Sequence, residues 1–215
     1  MKIIKLLVAT SLLTSLNAVS ATTWTDWTST TVGTLGSANV SITPIAFGLS
    51  SGDSYYNNTN ANLTNTYMNL QPTDLLQVNR SGAVTINFSE EVGSLYMSLV
   101  SVGQPHFPVK YEFNDPISVL SYGSNIWSST SYPNATSYDL LGSSFTGREY
   151  NGILRIDGSF GPSKSLSFAI DRNENWHGFN IGQVSAIPEP STIALMLSGL
   201  GITGFLAYRR RQKAA

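Results

Sequence analysis

Between Thr22 and Ala186 apolar residues alternate in short runs cut by Gly, Asn, Ser and Asp, and nowhere there do eleven residues hold a helical apolar period. Eight or so such runs, spaced by roughly ten residues, predict an all-β protein built as a two-sheet antiparallel sandwich, jelly-roll-like in type. The stretch carrying them, Thr22 to Ala186, is long enough to bury a core without covalent staples, and the chain has no cysteine to supply any.

The first strands are expected at Thr30 to Leu35 and Asn39 to Thr43. Val84, Ile86 and Phe88 alternate, Ser89-Glu90-Glu91-Val92-Gly93 turns the chain, and Leu95, Met97 and Leu99 alternate back. That pattern predicts a hairpin with one solvated face. Further strands are expected at Val109 to Phe113, Ile117 to Tyr122, Gly152 to Asp157, Leu166 to Ile170 and Phe179 to Gly182. Ser50 to Thr66, SSGDSYYNNTNANLTNT, is too poor in apolar residues to supply a strand face and reads as a long surface loop. Asn125 to Leu140, which holds Trp127, Tyr132 and Tyr138, is a second irregular stretch.

Composition excludes several classes. Of 215 residues, 41% are hydrophobic and 12% charged, against about 25% charged in an average domain. The chain is too apolar for disorder and too poor in Lys and Arg for nucleic-acid binding. The formal net charge of −1 averages unlike regions. Two lysines sit near the start and four basic residues near the end, while Thr22 to Ala186 holds six basic against twelve acidic groups.

The N-terminal 21 residues have the parts of a secretory signal peptide: Lys2 and Lys5, an apolar run from Ile3 to Leu16, then small residues placing cleavage after Ala21. An uncleaved anchor helix is the alternative. At the other end, Ile193 to Tyr208 is sixteen uncharged residues, followed by Arg209, Arg210 and Arg211. As a helix it would cover about 24 Å, slightly short of a ~30 Å hydrocarbon core, a deficit that snorkelling or thinning absorbs. The arginines would stop transfer and stay cytoplasmic. Pro188 and Pro190 keep the preceding segment extended and accessible to a processing enzyme. The expected organisation is therefore a signal peptide at 1–21, a sandwich at 22–186 and a sorting segment at 187–215. The membrane is a partner through the C-terminal helix before processing.

Pro188-Glu189-Pro190, Ser191, an apolar stretch and an Arg run resemble, in that order, the PEP-CTERM sorting signal of exported bacterial proteins. The resemblance implies processing by an exosortase, a transient membrane anchor, and a cell-surface or extracellular destination in an exopolysaccharide-producing bacterium. The body, through Thr25-Asp26-Trp27-Thr28, VTINFSEEVGSLYMSLVSVG, KYEFNDPISVLSYG, GREYNGILRIDGSF and ENWHGFNIG, resembles a domain recurrent in such proteins. That second resemblance implies a fold and a compartment but no catalytic residues.

Candidate chemistry is sparse. His106, between two prolines in QPHFP, is expected in a loop, and His177, in ENWHGF, in a packed corner with its imidazole satisfied by backbone groups. No G-x-S-x-G elbow accompanies them. A glycosidase needs two carboxylates at a set separation, and Glu90 and Glu91, adjacent in a turn, diverge. No enzyme and no resident cofactor are expected, a weak polysaccharide hydrolase being the remotest alternative. Asp171-x-Asn173-x-Asn175 opens like a calcium loop, but Trp176 and Gly182 stand where Gly and Glu are needed. A sandwich-type Ca2+ site could still use Asp171, Asn173 or Asp157; an Asx-rich turn competes with it. Saccharide sites join aromatic faces to amides, and Trp127, Tyr55, Tyr56 and Tyr132 are the candidates beside Asn-rich stretches. The leading expectation is a non-enzymatic exported surface or matrix protein, with a carbohydrate-binding module recognising exopolysaccharide as the alternative.

Overall fold

The computed structural model describes residues 22–51, 53–56, 66–68, 73–123, 137–184 and 199. A compact unit spans Ala21–Ser185. Its first strands are β1 (Thr22–Trp24), β2 (Asp26–Trp27), β3 (Val32–Leu35), β4 (Ala38–Ile42) and β5 (Ala46–Ser50), followed by one helical turn, α1 (Asp53–Tyr56). Next come β6 (Leu75–Val78), β7 (Gly82–Phe88), β8 (Leu95–Val102), β9 (Val109–Phe113) and β10 (Ile117–Tyr122). The last are β11 (Tyr138–Leu141), β12 (Ser144–Gly147), β13 (Tyr150–Ile156), β14 (Leu166–Ile170) and β15 (His177–Val184).

They form two antiparallel sheets, as the apolar alternation predicts. The first has the order β10-β13-β8-β15-β6-β5, with β1 also paired to β15; the second has the order β11-β12-β9-β14-β7-β4-β3-β2. From β7 to β11 the chain changes sheet at every step, the jelly-roll-like habit of burying successive strands on opposite walls of one core. Val40, Ile86, Tyr111 and Phe168 of the second sheet meet Met97 and Ile181 of the first in that core.

Two expectations need correction. The predicted hairpin Val84 to Leu99 does not form, because β7 belongs to the second sheet and β8 to the first. Val92 instead pairs with Phe160 through two backbone hydrogen bonds of 2.7 and 2.8 Å, which diverts the chain across the sandwich. Alternation reports a buried face, and both sheets bury one face in the same core, so it cannot say which sheet a strand joins. Nor does β8 have a solvated face: Ser98 and Val100 are buried as fully as Met97 and Leu99.

The cover over that outer face comes from Tyr56, within the Ser50 to Thr66 stretch read as a surface loop, and from Tyr67, just after it. Tyr56 and Tyr67, both fully buried, pack with Leu75, Val100 and Ile153 in a second apolar cluster. Their rings meet edge to face at 4.9 Å. Tyr56 Oη shares a hydrogen bond with Ser98 Oγ at 3.0 Å, and Tyr67 Oη donates to the Leu99 carbonyl at 3.0 Å. Burying a side chain of that size contributes about 1.5–3 kcal/mol, and satisfying each hydroxyl removes the penalty of burying it.

One side chain ties the two walls together. Asn180, fully buried on β15, accepts from Trp27 Nε1 at 2.8 Å and donates to the Thr25 carbonyl at 3.1 Å. Thr25 returns its amide and hydroxyl to the Ile181 carbonyl, at 2.9 and 2.8 Å. The chain thereby leaves β1 in the first sheet and enters β2 in the second with its polar groups paired.

Where β8 ends, glycine is required twice. Gly103 has φ +75°, and a Cβ there would collide with the Gly147 carbonyl, while a Cβ on Gly147 would lie 2.6 Å from the Val102 carbonyl oxygen. Gly36 has a similar φ of +60° with open space around it.

Two outcomes follow for urea unfolding. Gly103→Ala should cost about 3 kcal/mol or more, and Gly36→Ala only the left-handed backbone strain of about 1–2 kcal/mol; equal losses would refute the close approach. Asn180→Ala should cost about 2–4 kcal/mol, since it strands the Trp27 N–H and the Thr25 carbonyl. A loss below about 1 kcal/mol would show that those groups find other partners.

Candidate functional site

Two connections at one end of the sandwich face each other across a cleft. The β8–β9 connection closes tightly: Gln104 N donates to the Phe107 carbonyl at 2.9 Å and Phe107 N returns to Gln104 at 3.0 Å. Pro105 and His106 form its tip, where the fixed φ of proline suits a turn. The turn leaves Phe107 65% exposed, and His106 stands exposed in the loop, as expected.

Across from it, the β14–β15 connection is held by its own Asx groups. Asp171 Oδ1 accepts from Lys110 N at 2.8 Å. Asn173 Oδ1 accepts from Ser81 N at 2.7 Å and Ser81 Oγ at 3.0 Å, and Glu174 N donates to the Asn79 carbonyl. These bonds pin the connection to Ser81 and Lys110 on neighbouring segments rather than to its own backbone, so the Asx turn expected from the sequence is not what holds it. Asp157 Oδ1 is engaged by Arg155 Nε at 2.7 Å, and no group of three or more His, Asp or Glu that could hold a metal occurs among the described residues.

Gln104, Phe107, Asn173, Glu174 and Asn175 line the cleft, whose volume is about 380 Å³. Glu174 is its charged member, with a side chain only 4% exposed. Its Oε2 accepts from Gly103 N at 3.0 Å and lies 2.9 Å from His177 Nδ1, an approach that lacks the alignment of a hydrogen bond. Oε1 has no hydrogen-bond partner among the described residues.

His177 is fully buried at the start of β15. Its neighbour is a carboxylate rather than the backbone groups expected from the sequence, because β15 has already begun and its peptide groups pair with β6 and β8. The imidazole meets the Tyr111 ring edge-on at 5.8 Å. Burial, and secondarily Glu174, raises the Tyr111 hydroxyl well above its ordinary pKa.

Beneath the cleft, three residues adopt left-handed backbone: Ser101 (φ 56°), Gly103 (φ 75°) and Glu149 (φ 56°). Their groups interlock. Ser101 Oγ donates to Glu149 Oε2 at 2.8 Å, Ser101 N to Asn151 Oδ1 at 2.8 Å, and Glu149 N to the Gly103 carbonyl at 3.0 Å. The β8–β13 register slips at this point, so the cleft floor is a β-bulge fixed by side chains. Strain of this kind, about 1–3 kcal/mol per residue, persists where surroundings over-determine it.

Of the residues nominated from sequence, Asn173 lines the cleft, but as a neighbour of Phe107 rather than a cation ligand, and the aromatic candidates are placed differently. Tyr56 is enclosed in the second apolar cluster, so neither face of its ring can cover a sugar. Tyr55 stacks on Trp176 with centroids 5.1 Å apart. Glu90 and Glu91 diverge, accepting from Ser37 and Ser159 respectively. Trp127, Tyr132, Ala21, Pro188, Glu189, Pro190, Arg209, Arg210 and Arg211 lie outside the described residues. Among the described residues no helix is long and apolar enough to cross a membrane, and the span expected at Ile193 to Tyr208 lies outside them apart from Gly199. Sequence reasoning missed Gln104, Phe107 and Glu174 as members of a site. The available signal was QPHFP, a proline-set turn that holds an aromatic ring away from any strand.

Residues 186–211 match the family model of the PEP-CTERM protein-sorting motif. The chain carries that motif. It implies export, processing by an exosortase and membrane-associated sorting to the cell surface. No curated protein and no solved structure matches the chain.

The floor of the cleft makes a pH prediction. Burial, and next the charge of Glu174, raises the Glu149 carboxyl above its ordinary 4.5, outweighing the Ser101 hydrogen bond that lowers it. The folded chain then holds a proton that the unfolded chain has lost, so stability falls as pH rises from 4.5 through the raised value. Urea midpoints taken from about pH 4 to about pH 7 should decline less in Glu149→Gln than in wild type; parallel declines would show that Glu149 does not carry the slope.

Proposed function

We propose that the protein is a non-enzymatic, exosortase-sorted component of the cell surface or extracellular matrix, and that the β-sandwich is the part delivered there. The supporting observation is the sorting motif at residues 186–211 directly following a compact unit that ends at Ser185. On this reading the signal peptide starts export and the apolar stretch after Pro190 holds the chain in the membrane. The arginines fix its orientation, and cleavage near Pro188-Glu189-Pro190 frees an acidic, cysteine-free domain that needs no oxidising partner to mature. Its destination is the exopolysaccharide that producers of such signals export.

A carbohydrate-binding module is the second reading. The cleft favours it, since an exposed aromatic ring beside three amide side chains suits a hydroxyl-rich ligand. Turnover of polysaccharide has no comparable support.

Intact masses of the protein recovered from membrane and culture-fluid fractions test the first reading. The expected extracellular product starts at Thr22 and ends between Pro188 and Ser191. Replacing Pro188 and Pro190 together by Ala should retain the chain in the membrane fraction. A wild-type product that runs to Ala215 in the membrane, with none released, would overturn processing and leave a tail-anchored ectodomain.

A further inference from the structure

We propose that the cleft between the Gln104–Phe107 turn and the Asp171–Trp176 connection is a saccharide-binding site for a neutral sugar, with one ring seated on Phe107. The inference deepens, and rests on, the reading of the sandwich as a carbohydrate-binding module. A lone exposed Phe needs no explanation. This one borders a cleft of about 380 Å³ whose other lining residues are Gln104, Asn173, Glu174 and Asn175, a volume inside the range of small-molecule sites, about 300–1,000 Å³. An aromatic face covers the C–H face of a pyranose. Each primary amide both donates and accepts, as each sugar hydroxyl does. Glu174 supplies a pure acceptor: its Oε1 has no hydrogen-bond partner among the described residues, while its Oε2 is anchored to Gly103 N.

The alternatives fit less well. A buried carboxylate repels phosphates and acidic sugars, and the twelve acidic groups of the surrounding domain outnumber its six basic ones. A hard cation would need several oxygen ligands, and no group of three candidate residues converges among those described. The site is also built in advance. Asn173 is held by Ser81, Glu174 by Gly103 and Asn79, and the floor by the Ser101–Glu149–Asn151 hydrogen bonds. Little ordering is left for the ligand to impose, which favours binding by a small polar molecule.

The test uses the full chain in a detergent without a sugar headgroup. The probes are glucose, galactose, mannose and N-acetylglucosamine with cellobiose, maltose and chitobiose, titrated calorimetrically against wild type, Phe107→Ala, Asn175→Ala and Phe47→Ala. Phe107 and Asn175 are both exposed, so their variants should keep the wild-type unfolding midpoint. Phe47 on β5, 50% exposed, is the control for nonspecific apolar contact. At least one sugar should bind wild type and Phe47→Ala equally, and each cleft variant about tenfold or more weakly. Binding that survives both cleft variants would place the sugar elsewhere and overturn the site while leaving the module reading intact. Binding of none of the seven probes would overturn both the site and the module reading, without touching export and sorting. Calcium chloride alone raising the unfolding midpoint of wild type but not of Glu174→Gln, with no sugar bound, would make this a cation site and overturn the inference.

Discussion

Trp27 reaches from the second sheet to Asn180 Oδ1 on β15 of the first, and the backbone of Thr25 and Ile181 closes the same junction. This buried polar contact constrains much of the rest. An apolar core would tolerate sliding of one sheet over the other with little change in buried area. A hydrogen bond between an indole and an amide in a dry interior does not, because each unpaired group would cost about 1–3 kcal/mol. The contact therefore sets the offset between the walls. β15 carries that setting to the cleft, since Glu174 and His177 immediately precede and begin it. Asp74, which accepts from Trp27 N at 2.8 Å, brings β6 under the same constraint.

The cleft floor shows how a strained backbone is held. Ser101 and Glu149 are side-chain-bearing residues at positive φ, and Glu149 hydrogen-bonds both Ser101 Oγ and the carbonyl of Gly103, itself at positive φ. A bulge in an otherwise regular β8–β13 pair re-aims the chain where it must leave one sheet for the other. The same displacement presents Gly103 N to Glu174, so a nearly enclosed carboxylate finds a backbone donor. Strain, crossover and acceptor placement are thus one feature, and loosening any of the three would release the others.

How much of this the sequence shows depends on how local the cause is. Val109 to Phe113 and Leu166 to Ile170 alternate cleanly and coincide with β9 and β14, because each buries one face only. Leu75 to Val78 hides β6: Leu75 belongs to the outer cluster and Leu76 to the main core, so both faces are apolar and no period appears. β2 is two residues long and has no period to detect. The Asn-rich stretch misleads for a related reason. Tyr56 within it and Tyr67 just beyond it are buried apolar anchors among polar residues, and composition averages them away. The sorting motif is legible because it is defined by consecutive residues, 186–211, and needs no tertiary contact to be recognised. The cleft is not, because Phe107 and Glu174 meet only through the topology of two sheets.

The electrostatics of the cleft bear on what it can hold. Glu174 is nearly enclosed, and a second carboxylate, Glu149, is already disfavoured in its charged form partly by Glu174. Adding a ligand anion would add to the repulsion between these two carboxylates. A strongly hydrated cation would have to surrender its water shell for one free carboxylate oxygen and a few amides, a poor exchange for a hard ion. A hydroxyl group would face neither cost: on the proposed reading it would donate to Oε1 and accept from a neighbouring amide, with its carbon framework against an aromatic ring that otherwise faces water. A neutral sugar surface is also the setting in which an acidic domain with few basic groups can bind without competing for counterions. Charge and geometry thus select the same ligand class, although one is set by the whole domain and the other by five side chains.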